Sequence, residues 1–171
     1  MRLQAHRRRG RRRRSGRSRH HEGRGPGRPR RQEEAALRLL RGRGLRGAPN
    51  LLRPYGDKVA EADFLLFNLG WDEYWGTDAY FGDYPCIDDE VLDLIIAGGY
   101  KGIGFDVIGL DPIADTNLTR HKKLFSSCDI VNIENLKNLD CCGDDLFWFS
   151  CCPLKIEDSD GAPISAIAWF E

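Results

Sequence analysis

The first fifty residues lack lysine, cysteine and every aromatic residue, and carry only three acidic side chains. A segment with so little to bury cannot offset the entropy of ordering its backbone. It also lacks the Phe and Tyr side chains that stack on bases in single-strand nucleic-acid binders. The whole chain lacks any apolar run near the roughly 18 residues of a membrane span. No apolar stretch stands among the N-terminal arginines to read as a secretory leader. These absences predict no membrane association, a cytoplasmic setting and free thiols.

What is present divides at about residue 50. Residues 1–50 hold 18 Arg against 3 Glu, a net charge of +15. Of the 26 basic and 26 acidic residues in all, that leaves 8 and 23 for residues 51–171, a net −15. Asymmetry of this size marks two physically different segments. Residues 1–50 are expected to be a disordered basic low-complexity segment, with one short helix over residues 32–41 (QEEAALRLLR). Its arginines would bind phosphate without sequence preference. An arginine-rich nucleic-acid-binding tail on a non-catalytic domain is therefore the alternative function, though not the favoured one.

Residues 51–171 have globular patterning. Asp63 to Leu69 (DFLLFNL) reads as a buried strand stopped by Gly70, and Lys101 to Ile108 (KGIGFDVI) as a second. Between them Asp88 to Ala97 reads as a helix, with Asp88 as N-cap, acids in its first turn and Gly98-Gly99 at its end. Strand, helix and strand in that order predict an α/β fold with a mixed sheet and flanking helices. A further helix is expected at Asn117 to Ser126, capped by Thr116, and a strand at Asp129 to Ile133. Leu146 to Ser150 and Pro153 to Ile156 read as separate strands, followed by a hairpin turn at Asp158 to Gly161.

His121 is the one histidine of this segment, and Leu118 and Phe125 share its helix face, which predicts an inward direction. A hydrogen-bonded core histidine and a metal ligand or general base both fit that pattern. Glu134 closes a strand, where a carboxylate either faces a site or lies at the surface. Asp106 and Asp111 pose the same alternatives, and Asp111-Pro112 most simply starts a turn. The Cys141-Cys142 and Cys151-Cys152 doublets are spaced too closely for a structural zinc site. Trp71 to Pro85 is rich in aromatic residues that either wall a pocket or pack on the sheet.

Several stretches together resemble one family: ADFLLFNLGWDEYW, DAYFGDYP, GYKGIGFDVIGLDP, the block from HKKLF to NIENLKNL, and PLKIEDSDGAPISAIAW. From about Val59 to Glu171 the chain resembles the C-terminal half of the cyclase family of metal-dependent hydrolases, which includes kynurenine formamidase and isatin hydrolase. The resemblance implies a swivelling β/β/α-like fold and hydrolysis of an amide C–N bond in a small aromatic substrate, as in tryptophan catabolism. It implies a divalent metal, zinc or manganese, held by His121 in the H-x-x-L position and Glu134 in the E-N-L position. It implies a homodimer, and it makes Trp71, Trp75 and Tyr80 candidates for substrate contacts. The family's other signature, H-x-G-T-H-x-D with a trailing histidine, supplies its remaining ligands and its acid–base group. The other histidines here, His6, His20 and His21, have neither the Gly-Thr nor the Asp at that spacing. No catalytic acid or base is therefore assigned. Ser165 stands where the family commonly has arginine, and Asn68-Leu69 where Thr-Gly is more frequent.

Overall fold

The computed structural model describes residues 4–7, 34–39 and 52–170. Seven strands among them form one mixed sheet: β1 (Gln4–Arg7), β2 (Glu34–Leu39), β3 (Phe64–Phe67), β4 (Gly102–Phe105), β5 (Val131–Ile133), β6 (Leu146–Pro153) and β7 (Ile164–Phe170). Their order across the sheet is β1-β7-β6-β2-β3-β4-β5. β2, β3, β4 and β5 run parallel; β6 is antiparallel to both β2 and β7; β1 is parallel to β7. Among the described residues three α-helices accompany the sheet: α1 (Lys58–Glu61), α2 (Asp89–Gly98) and α3 (Thr119–Ser127). The expected α/β fold with a mixed sheet is what forms.

The central strands are buried on both faces, which explains their unbroken apolar runs. Leu65, Phe67, Ile103 and Phe105 join Val91, Leu92 and Ile95 of α2 and Leu124 of α3 in one core. Phe67 and Phe105 stack there with ring centroids 4.9 Å apart. Phe64 and Leu66 face the opposite side, against Ile133, Leu136, Phe147 and Phe149. The glycines of β4 make this second layer thin. A Cβ at Gly102 would overlap the Phe64 ring, and one at Gly104 would lie 2.7 Å from Leu136 Cδ1.

α2 begins and ends as its residues dictate. Asp88 accepts a 2.9 Å hydrogen bond from Val91 N, and Gly99 takes the left-handed conformation, φ 70°. Four other elements differ from expectation. Residues 34–39 form β2 instead of part of a helix over 32–41, although Glu, Ala and Leu favour helix. The space between β3 and β6 needs a strand to pair both edges, and Ala36 and Leu37 are fully buried there, on opposite faces. Gln4–Arg7, expected to be disordered, pairs with β7; residues 8–33 of the same expected segment lie outside the described residues.

The strand expected at 146–150 runs on to Pro153 as β6, and residues 154–156 of the second expected strand lie in the loop beyond it. β6 does pair with β7 as a hairpin, but through residues 154–163, closed by Leu154 N donating to Pro163 O at 2.9 Å, not through a tight Asp-Gly turn. Thr116 does not cap α3. That role falls to Asp111 and Asp115, whose carboxylates reach the free N–H groups of Thr119, Arg120 and His121 in its first turn.

Candidate metal centre

Three elements meet at the C-terminal ends of β4 and β5, where open parallel sheets place their sites. The loop after β4 supplies Asp111, the first turn of α3 supplies His121, and the residue after β5 is Glu134. The turn following Glu134 is tied back to β4, since Asn135 N donates to Val107 O and Leu136 N to Phe105 O, both at 2.9 Å. Glu134 therefore rides on a fixed backbone.

Asp111 organises the site. Its side chain is 3% exposed. One oxygen, Oδ1, accepts from Arg120 N at 2.5 Å, and Oδ2 accepts from His121 N at 3.3 Å. The same Oδ2 lies 2.5 Å from His121 Nδ1. One carboxylate thus starts the helix and sets the imidazole on it. With Nδ1–H donated to Asp111, Nε2 is the nitrogen left to face the cleft. It lies 3.0 Å from Glu134 Oε1. Tyr84 holds this loop from behind, donating its hydroxyl to Asp111 O at 2.6 Å. Burial pushes the Tyr84 phenol up to about 12, so it stays a donor at neutral pH.

The His121 ring bridges two carboxylates. The Glu134 contact, chiefly, and Asp111 favour its protonated form against the opposing effect of burial, and its pKa rises to about 9. The helix face differs from expectation. Leu118 and Phe125 are half exposed, and Leu124 is the residue of α3 that enters the core. His121 faces a cleft between α3 and the end of β5, with 21% of its side chain exposed.

Asp106, also buried, has another task. Its Oδ1 accepts from Leu69 N at 2.8 Å and its Oδ2 from Trp71 N at 2.9 Å, pinning the loop after β3 to the end of β4. Burial raises its pKa, and those backbone bonds oppose the rise. Of the aromatic candidates, Trp75 lines a cavity of about 930 Å³ that Glu134, Asn132 and Phe125 also line. Tyr80 is 2% exposed and donates to Asn135 Oδ1 at 2.9 Å, so it braces the turn after Glu134. Trp71 is fixed by Nε1 donating to Tyr80 O at 2.9 Å. Neither Tyr80 nor Trp71 is among the residues lining that cavity.

Two side chains, His121 and Glu134, converge as metal donors can, one nitrogen and one oxygen at adjacent positions. A histidine held through its other nitrogen by a carboxylate is the usual outer arrangement of a metal-bound imidazole. These residues fit part of a metal site. No group of three or more His, Cys, Asp and Glu is placed to hold one metal ion among the described residues, since Asp111 meets the far nitrogen of the His121 ring. Asn132 was not singled out in the sequence, and Asp111 was weighed there but read most simply as the start of a turn. For Asp111, the usable signal was an aspartate shortly before a helix with no capping side chain of its own.

The class this fold and site define is an α/β protein with a carboxylate-buttressed histidine and a glutamate at the carboxyl end of a mixed sheet. Residues 47–112 match the family model described as "Putative cyclase". The chain is 38% identical over 113 residues to an uncharacterized protein of Methanocaldococcus jannaschii, covering 66% of this chain and 56% of that one. It is 31% identical over 83 residues to the kynurenine formamidase of Bacillus anthracis, covering 48% of this chain and 39% of that enzyme. The chain thus spans about half the length of the curated relatives it matches. Its fold is similar to that of an isatin hydrolase bound to the product analogue thioisatinate, with a TM-score of 0.59 at 19% identity, over 79% of this chain and 60% of that one. It is also similar to a potential metal-dependent hydrolase with cyclase activity, with a TM-score of 0.56 at 20% identity, over 78% and 63%. The C-terminal part of this chain is therefore cyclase-like in sequence and in fold. His121 and Glu134 lie beyond the residues that the family model matches.

Proposed function

We propose that His121 and Glu134 are metal donors of a cyclase-type hydrolase, acting on an amide C–N bond of a small aromatic substrate as kynurenine formamidase does. The observation that carries this reading is the 3.0 Å approach of His121 Nε2 to Glu134 Oε1, with Asp111 fixing the far side of the ring. A divalent ion at such a centre, zinc or manganese, supplies Lewis-acid polarisation of the scissile carbonyl.

The chain's own residues do the rest. Asp111 keeps Nδ1 protonated and leaves Nε2 as the nitrogen directed at Glu134. Glu134 contributes negative charge that offsets a cation. Trp75 and Phe125 offer aromatic walls to a flat substrate, in a cavity whose volume of about 930 Å³ suits a small molecule. The two donors are one short of the three protein ligands that a catalytic zinc usually takes, and the H-x-G-T-H-x-D run that completes the set in the resembled family is absent from this sequence.

Metal content of the purified full chain, with and without His121→Ala, tests the metal reading. Bound zinc or manganese in the parent and its loss in the variant support it; equal, near-zero metal in both ends it. Hydrolysis of formanilide or N-formylkynurenine by the metal-loaded chain, abolished by His121→Ala, supports the reaction class. No hydrolysis of either by a chain that does hold metal overturns that class.

A further inference from the structure

We propose that Asn132 is a third donor of this centre, through its side-chain amide oxygen. The inference rests on the reading of His121 and Glu134 as metal donors. Asn132 is the middle residue of β5, two positions before Glu134, so both side chains project from the same face toward α3. Its amide nitrogen lies 3.0 Å from Glu134 Oε1 and 3.3 Å from His121 Nε2, and those two atoms are themselves 3.0 Å apart. Three polar atoms from three side chains thus form a nearly equilateral triangle. Donors bound at about 2.1 Å to one ion lie about 3.0–3.4 Å apart, for angles between the octahedral and tetrahedral values.

Without a cation, Nδ1–H is committed to Asp111, and Nε2–H and the Asn132 NH2 both donate to Glu134 Oε1. With a cation in place of the Nε2 proton, Nε2, Glu134 Oε1 and an inward-turned Asn132 Oδ1 would all present lone pairs to it. A half-turn of the amide exchanges its oxygen and nitrogen. Among the described residues no hydrogen bond resists that turn from the far side, because the buried Oδ1 has no partner there. A mixed set of one imidazole nitrogen and two oxygens suits zinc or manganese.

The test is titration of the chelator-stripped full chain with Mn2+ and with Zn2+, followed by calorimetry, for the parent, His121→Ala, Asn132→Ala and Asn132→Asp. Circular dichroism and melting temperature check that each is folded. Asn132→Ala is expected to weaken binding by roughly 10–100-fold, the scale of losing a supporting group at a metal centre. Asn132→Asp, which keeps an oxygen at the position and adds charge, is expected to bind as tightly as the parent or more so. If Asn132 serves only as an N–H donor to Glu134, the aspartate sets carboxylate against carboxylate, and both variants weaken alike; that result overturns the proposal. Parent-like binding by Asn132→Ala, with binding lost in His121→Ala, also overturns it while leaving the His121–Glu134 reading intact. No binding of either ion by the parent overturns both.

Discussion

Replacing Asp111 with asparagine should damage stability and metal affinity together, because one carboxylate serves the helix and the histidine at once. The aspartate accepts from Arg120 N, His121 N and His121 Nδ1, and it is almost wholly buried. An asparagine of the same shape keeps one acceptor oxygen and turns an NH2 toward groups that are themselves donors. Losing the cap costs about 1 kcal/mol. Losing a hydrogen bond to a charged group costs about 1.5–3 kcal/mol. Asp111→Asn should therefore lower unfolding free energy by about 2–4 kcal/mol, read by urea denaturation in the presence of a chelator. Freed from its carboxylate, the imidazole loses its fixed orientation, and Mn2+ affinity should fall roughly 10–100-fold. Asp115→Asn is the control, since that exposed carboxylate also accepts from the first turn, at Thr119 N, and from Asn117 N just before it, but has no hydrogen bond to the histidine. It should leave metal affinity unchanged. Stability within about 0.5 kcal/mol of the parent, with unchanged Mn2+ affinity, in Asp111→Asn would refute the account of Asp111 as organiser.

Two further outcomes follow from the same contacts. His121 titrates at about 9 in the folded, metal-free protein, against about 6.5 for an unfolded histidine. Its stabilising contribution is whole below about pH 6.5 and is lost as pH rises through about 9. Urea unfolding across that window in chelator should show a decline that His121→Gln removes; the same slope in both proteins would show that His121 is not its source. Asp88→Ala, which removes the cap on Val91 N, should cost about 1 kcal/mol and leave metal binding untouched, as checked by thermal unfolding and Mn2+ titration.

The parts of the fold that were legible are those in which a residue's partners lie nearby in sequence. Asp88 and Val91 are three residues apart, so the start of α2 follows from local chemistry. The runs at Phe64–Phe67 and Gly102–Phe105 read as buried strands because their composition suits little else. The site was half legible. His121 and Glu134 stood out as the lone histidine of their segment and as a carboxylate at a strand end, and a family resemblance weighted both toward metal. Asp111 read as a turn residue, because nothing local shows that its carboxylate reaches forward nine and ten residues to cap α3 and hold the ring. The burial of Leu118 and Phe125, the neighbours of His121 on its helix face, was misjudged, because helical periodicity identifies a shared face without saying how much of it is covered, and both end half exposed.

By itself, then, the sequence determined the charge division at residue 50, the central strands, the helix that begins after Asp88 and the chemical types able to bind a metal. These rest on composition and on interactions spanning a few residues. The tertiary structure alone decided that residues 34–39 are a strand, since the hydrogen bonds they satisfy belong to β3 and β6. It also decided that Asp111, His121, Asn132 and Glu134 meet. They come from a loop, a helix, a strand and a strand end, and only the parallel pairing of β4 with β5 and the seating of α3 above them bring those atoms within about 3 Å.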